Sequence, residues 1–383
     1  MLKDARDTTG WTHSVSKMIS EGKFSGTRQM GRPTFPVQAS ILSSDALVNW
    51  LKTKYRLRQP VACVFHHKGI NDTYKVTAAT SIFYLRVYVH GWRTREEVKT
   101  EVNLLKILAR HDLPISRPVK CLDDSYIQQL SAPEGMRYTV LFTGAEGAPS
   151  VNPTTRQCFT YGALAAKIHN CTDRQHQTYT RFHIDTVHLI DEPLKSLGRL
   201  LDHRRKDFGF LRSIGEASKV EAMKLPRTIP EYGICHGDLH AMNVFFKDPD
   251  KLTLFDFDCI GYGWRAYDVS VFLWSLHWAG RDAVRRKRCW NAFLKGYQSE
   301  RRLSRKELQT IPIFGAMRQI WLMGTHASIS KRWGIDWLND RYFDRSIKFV
   351  RDWVKEYGIL EDVFQRTVAT KYGWSLNLYE KEI

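Results

Sequence analysis

The sequence predicts an α+β fold in two lobes, a small antiparallel sheet carrying one helix followed by a larger, mainly helical part. Three observations predict it. Residues 61–66, 72–77 and 82–89 are short runs of strand-forming residues, separated by Lys68-Gly69-Ile70-Asn71 and by residues 78–81, which is the spacing of hairpin-linked strands. Residues 94–110 then place Val98, Val102, Leu105 and Leu108 at helical spacing. Beyond Thr154 the pattern is helical throughout, except for a strand-rich island over 234–257. A chain of 383 residues also exceeds one ordinary core, which favours two lobes.

The elements follow in order. Residues 1–40 are polar, aperiodic and punctuated by Gly and Pro, and read as a mobile leader. Order begins near Ser44, where Ser-Asp precedes the helical run 46–51. After the first helix of the sheet region, Pro114 and Pro118 interrupt the chain before strands over 125–130 and 136–142. Gly144, Gly147, Pro149 and Pro153 then form a hinge. The reading is therefore a leader over 1–40, an N-lobe over 41–147 and a C-lobe over 148–383, with no internal repeat.

Composition excludes several classes. An apolar fraction of 43%, with 12% aromatics, is enough for globular folding and argues against general disorder. The longest apolar run, over 269–279, is interrupted by Ser275 and His277 and reads as a buried helix, not a membrane span. The N-terminus lacks an apolar signal core, and the seven cysteines form no C-x-x-C pair. Together these predict a cytoplasmic protein with reduced thiols and no zinc site. The net charge of +18 suits a nucleic acid, a membrane surface or an anionic small molecule. No nucleic-acid motif accompanies it.

The decisive segment is His236-Gly237-Asp238-Leu239-His240-Ala241-Met242-Asn243, followed by Leu254-Phe255-Asp256-Phe257-Asp258. Phosphoryl transfer from a nucleotide needs a carboxylate to orient and deprotonate the attacking hydroxyl. It also needs oxygen ligands to hold a divalent cation against the phosphates. His-x-Asp-Leu-x-x-x-Asn supplies the base at Asp238 and an amide ligand at Asn243, and the next strand leads into Asp256. Lys247-Asp248-Pro249-Asp250-Lys251 has the chemistry of the turn that folds the two strands together. Taken singly, Asp238 reads as a helix cap, Asn243 as a turn residue and Asp256 as a loop residue; their order and spacing together favour the site.

These residues, with Gly261-Tyr262-Gly263 and Tyr267-Asp268-Val269, resemble the aminoglycoside phosphotransferase and choline kinase-like family, which has a protein-kinase-like fold. The likeness runs from about Val61 to Leu276 and is nearest to the homoserine kinase and stress-response kinase branch. It implies ATP and Mg²⁺, with Asp238, Asn243 and Asp256 as catalytic residues and Asn243, Asp256 and Asp258 around the metal. It implies that Asp268 braces the catalytic loop and that His236 buttresses it. For Asp258 two roles stay open, a second metal contact or a hydrogen bond within its own loop.

In the N-lobe the resemblance implies a nucleotide-positioning loop at residues 68–74, with Gly69 and Asn71, although a plain hairpin turn fits the same residues. Arg86 stands where kinases place a lysine, and its fork suits two phosphate oxygens. Glu101, inward on the following helix, is its expected ionic partner, with Glu97 as the second choice. Residues 138–143, including Phe142, would offer backbone groups to adenine.

The acceptor belongs in the helical lobe. The basic tract from Arg281 to Lys306 is either a solvated helix face or a lining that would disfavour polycationic acceptors. Three functions are weighed: a kinase of small-molecule hydroxyls, a Ser/Thr protein kinase of the bacterial stress-response type, and a non-catalytic nucleotide or nucleic-acid binder. The short 256–267 segment favours the first, and retention of three polar catalytic residues disfavours the third. The partners predicted are ATP and a small hydroxyl acceptor, with neither membrane nor nucleic acid. The sequence specifies no oligomeric state.

Overall fold

The computed structural model describes residues 35–359 apart from 151, 176–178 and 281. The expected leader over 1–40 lies mostly outside these residues. All elements below belong to the unit Gln38–Ile383. At Ser40 the chain is already held, because its hydroxyl donates to Glu134 Oε2 at 2.7 Å.

Helix α1 (Ser44–Lys54) is capped by Ser43, whose hydroxyl oxygen accepts the Ala46 N–H. It buries Leu47 and Leu51 against one face of a five-stranded sheet. The strands are β1 (Val61–Lys68), β2 (Asp72–Ala78), β3 (Ser81–Val87), β4 (Gln128–Ala132) and β5 (Gly135–Thr143), ordered β1-β2-β3-β5-β4. Side chains alternate across the pleat. Tyr74, Val76, Leu85, Val87 and Leu141 therefore face α1 and form one core. The same alternation turns Thr73 and Arg86, which are paired across β2 and β3, to the opposite face.

Helix α2 (Arg95–Arg110) covers that second face. It opens with a capping box in which Thr94 Oγ1 accepts from Glu97 N and Glu97 Oε2 accepts from Thr94 N. Its buried Val98, Val102, Leu105 and Leu108 join Val140 and Phe142 in a second core that continues into the helical lobe.

After β6 (Ala148–Pro149) and α3 (Thr155–Asp173) come β7 (His183–Ile184), α4 (Glu192–Gly198) and α5 (Arg205–Ala222). The strand island is β8 (Tyr232–Cys235), β9 (Val244–Asp248), β10 (Lys251–Leu254) and β11 (Gly261–Trp264). These short strands form two three-stranded sheets, β10-β9-β6 and β7-β11-β8. The expected turn closes the β9–β10 hairpin, with Asp248 Oδ1 accepting the Asp250 and Lys251 N–H groups.

Helices α6 (Arg265–Trp278), α7 (Ala283–Glu300), α8 (Arg305–Trp333) and α9 (Asp340–Tyr357) complete the lobe. The run expected as a buried helix is α6, every residue of which is buried from Arg265 to Leu276. No helix among the described residues is long and apolar enough to cross a membrane. Six of the seven cysteines are buried and Cys259 is half-buried.

Candidate active site

The catalytic loop runs from the end of β8 to the start of β9, and its shape is set from behind by α6. Asp268, fully buried in the first turn of α6, accepts the His236 N–H at 2.6 Å and the Gly237 N–H at 2.7 Å. Its Oδ2 also takes the His169 ring N–H at 2.9 Å. Burial pushes the Asp268 carboxyl up, while His236 and the two backbone donors pull the other way.

Gly237 has φ +81°, and a Cβ there would meet the Cys259 carbonyl oxygen at 2.1 Å. Only glycine fits this turn. His236 is the expected buttress. Its Nδ1 accepts the Asp238 N–H at 3.2 Å and its Nε2 donates to the Phe255 carbonyl at 3.2 Å, which assigns the proton to Nε2.

Three donors converge on Asp238. Arg318 Nη2, from the middle of α8, donates to Oδ1. His240 Nε2 lies 3.3 Å from Oδ2, and because His240 Nδ1 accepts from Met242 N its proton points at the carboxylate. Asn243 Nδ2 donates to the Asp238 carbonyl at 2.9 Å and to Oδ2 at 3.3 Å. Burial alone would raise the Asp238 pKa. His240 and Arg318 more than offset it and hold the carboxyl well below the usual carboxylate range. Such a group stabilises the fold above its ordinary titration range, and the contribution is lost as pH falls through that range.

Arg318→Gln should therefore move the acid limb of kcat/KM to higher pH and cost about 1.5–3 kcal/mol of stability. A pH–rate profile identical to the wild type would refute the coupling.

Asp256 sits in the left-handed region at φ +64°, which an aspartate tolerates better than most residues. Its Oδ1 accepts from Arg86 Nη2 at 2.7 Å, while 46% of its side chain stays open to the cleft. The other end of the Arg86 fork donates to Glu101 Oε1 at 2.7 Å, and Tyr88 Oη donates to Glu101 Oε2 at 2.8 Å. Glu101 is the partner and Glu97 is not, because Glu97 is engaged in the helix cap one turn earlier. Burial raises the Glu101 carboxyl, with Arg86 opposing. Arg86 is itself pushed well above its ordinary value, since Glu101 and Asp256 outweigh the effect of its burial.

A cavity of about 550 Å³ lies between these groups, within the usual range for small-molecule sites. Arg86, Asn243 and Asp256 form its polar end, and Leu105, Phe142, Phe245 and Phe255 its apolar walls. Asn243 points its amide nitrogen at Asp238, which leaves Oδ1 as an oxygen donor. The donor set of one amide oxygen and one half-open carboxylate fits a hard divalent cation.

Three expectations need correction. Gly69 and Asn71 do not line this cavity. Gly69 borders a separate small hollow, and Asn71 Oδ1 accepts the Val89 N–H, bracing the hairpin. Their place toward the cleft is taken by His66, His67 and Thr73, since a bulge between Phe65 and His67 shifts the end of β1. Asp258 has both oxygens engaged, by Trp92 Nε1 at 3.0 Å and Arg93 Nε at 3.1 Å, so of its two open roles the loop brace is the one built. The backbone expected to face adenine is engaged: residues 139–143 pair with β3 on one edge, and Val119 N, Thr143 N and Ser116 Oγ bond them to the 116–119 segment on the other, while Phe142 lines the cavity.

Among the described residues of the basic tract, Arg285, Lys287, Arg288, Arg302, Arg305 and Lys306 are exposed and none lines the cavity, while the Arg301 side chain is buried against Asp173. Arg318 and His240 were missed as partners of Asp238. His240, two residues along the same loop, was within reach of sequence reasoning; Arg318, 80 residues away on α8, carries no motif.

Comparison with known proteins agrees with the fold and the family. An uncharacterised protein of Synechocystis sp. is 32% identical over 315 residues, covering 82% of this chain and 86% of that one. A homoserine kinase of Chelativorans sp. is 25% identical over 337 residues, covering 80% and 95%. Among solved structures, the amicoumacin kinase hAmiN in complex with AMP-PNP, Ca²⁺ and Ami superposes with TM-score 0.66 at 18% identity, covering 81% of this chain and 94% of that one. The superposition supports the same two-lobed, protein-kinase-like fold. Residues 62–303 match the sequence pattern of the phosphotransferase enzyme family, and since they make up the greater part of the chain, this protein belongs to that family.

Proposed function

We propose that the protein transfers the γ-phosphate of ATP to a hydroxyl of a small molecule, with Asp238 as the base and Mg²⁺ held by Asn243 and Asp256. The observation that carries this reading is the meeting of Asn243, Asp256 and the Arg86–Glu101 pair at one cavity, with Asn243 Nδ2 donating to Asp238 Oδ2 at 3.3 Å. Bound Mg²⁺ would neutralise phosphate charge. The acceptor oxygen bonds to the γ-phosphorus, the bond to the β–γ bridging oxygen breaks, and ADP leaves. Asp238 remains ionised at neutral pH. Its first task is to orient the hydroxyl by accepting its hydrogen bond, and it receives the proton late, as the new P–O bond acidifies the oxygen. Arg86 holds the phosphates in the site, and Glu101 fixes the fork.

One feature of the chain between the metal-side carboxylate and α6 supports a small acceptor over a protein. Residues 256–267 form a short 3₁₀ turn and then β11, which is paired on both edges by β7 and β8. No free segment remains there to carry a peptide platform. The homoserine kinase and amicoumacin kinase relatives are named for small molecules. Seven scattered cysteines with no C-x-x-C pair, six of them buried, accord with a cytoplasmic setting.

Incubation with Mg·ATP and a panel of hydroxyl compounds should release ADP in step with acceptor, and EDTA should abolish it. Labelling of a protein substrate with no turnover on any small alcohol would overturn the small-molecule reading.

A further inference from the structure

The catalytic loop separates two hollows. Residues after Asp238, namely His240, Met242 and Asn243, border the 550 Å³ cavity. Gly237, just before Asp238, borders a second hollow of about 50 Å³ on the other side. Asp238 lies between these residues in the chain. On the measure by which one water occupies about 10–15 Å³, the second hollow takes a group of only a few heavy atoms.

Its walls come from distant parts of the chain. Trp92 and Arg93 follow β3, His188 comes from the turn after β7, and Trp321 and Thr325 lie on α8. Trp321 and Thr325 continue the face of α8 that presents Arg318 to Asp238 (spacings of three and seven residues), so one helix face serves both the base and the hollow. Trp321 Nε1 donates to His188 Nε2 at 2.8 Å, leaving the His188 proton on Nδ1.

The charge here is one-sided. The Arg93 guanidinium lies 4.7 Å from the Trp92 ring centre and 5.0 Å from that of Phe182. It gives Nε and Nη2 to Asp258, while its Nη1 has Glu97 only at 3.9 Å. Arg181 is buried beside it, held by the carbonyls of Asp258 and Ile260. Asp258 is committed to Trp92 and Arg93, and Asp185 to the Val187 and His188 N–H groups. Burial, Arg93 and Arg318 together hold His188 down at about 4 despite Asp185, so it stays neutral near pH 7. Among the described residues, no carboxylate lines the hollow to receive an ammonium group.

Resting on the phosphotransferase reading above, we infer that this hollow is the acceptor subsite and that it takes a compact hydroxyl compound bearing an anionic group, whose charge meets Arg93 while its hydroxyl reaches Asp238. Arginine suits both carboxylate and phosphate.

The test is ADP release by the full chain with Mg·ATP and 4-hydroxybutyrate, glycerol phosphate, 4-hydroxybutyramide or 3-amino-1-propanol. The two anions separate carboxylate from phosphate as the recognised group. At least one should exceed the amide and the amino alcohol tenfold or more in kcat/KM. Arg93→Gln should raise the KM of that anion tenfold or more while KM for ATP stays within twofold, and Arg93→Lys should restore part of the loss. Thr325→Leu, which fills the hollow without touching Asp258, should abolish acceptor turnover with binding of a fluorescent ATP analogue retained. Preference for the amino alcohol, parity between anion and amide, or normal acceptor KM in Thr325→Leu would overturn the inference alone. Failure to bind the ATP analogue, with no ADP from any acceptor, would overturn the phosphotransferase reading as well.

Discussion

Asp238→Asn is expected to lower kcat by about 10²–10⁴-fold, the contribution typical of a positioned acid or base. Asparagine keeps the shape and one acceptor oxygen, so the loop held by Asp268 and His236 has no steric reason to move. What it loses is the negative charge on which Arg318, His240 and Asn243 converge, and with it the ability to take the acceptor proton. Nucleotide affinity should change by less than about threefold, because the Arg86–Glu101 pair is untouched. Single-turnover kinetics beside titration of a fluorescent ATP analogue make the distinction. A variant that turns over within tenfold of the wild type would remove Asp238 from the mechanism.

Asp268→Ala should act more through the fold. It orphans the buried N–H groups of His236 and Gly237 and the ring N–H of His169, with no room evident for compensating solvent in a fully buried helix turn. Each unsatisfied buried donor costs about 1–3 kcal/mol, and partial relaxation brings the total to about 3–5 kcal/mol. That is a large share of an ordinary domain's stability. Urea denaturation should show the loss, and in the fraction still folded kcat should fall without a matching rise in KM for ATP. Asp268→Asn should recover part of the stability, since an amide oxygen can still accept one of the donors. An alanine variant as stable as the wild type would mean that the loop is held by other groups.

Much of the site was legible because its residues lie close together in sequence. Asp238, Asn243 and Asp256 sit on one strand-loop-strand unit, so their spacing alone prescribes convergence. The Arg86–Glu101 pair followed from the resemblance, which placed Arg86, and from the 3.6 period of α2, which turns Glu101 inward with Val98 and Leu105. The errors fell where one element's partners lie far along the chain. The choice between the two roles left open for Asp258 was not legible, because Trp92 and Arg93, about 165 residues earlier, reach its carboxylate. The backbone of 139–143 was expected to be open because a strand pattern cannot show that the 117–119 segment covers an edge of β5. Gly69 and Asn71 were assigned by likeness to a phosphate loop, whereas a bulge in β1 decides which residues face the cleft.

The sequence by itself determined the two-lobed α+β architecture, the order of its elements and the placing of the candidate loop between two strands, because periodicity, turn chemistry and short-range spacing are local properties. Only the tertiary structure decided which charges meet. Arg318 reaches Asp238 from α8, Asp258 is withdrawn from the metal side, and Arg93 and Trp321 come together beside Gly237. Coulombic and hydrogen-bond energies depend on distances of a few ångströms between side chains, and packing sets those distances between residues that the chain order keeps far apart.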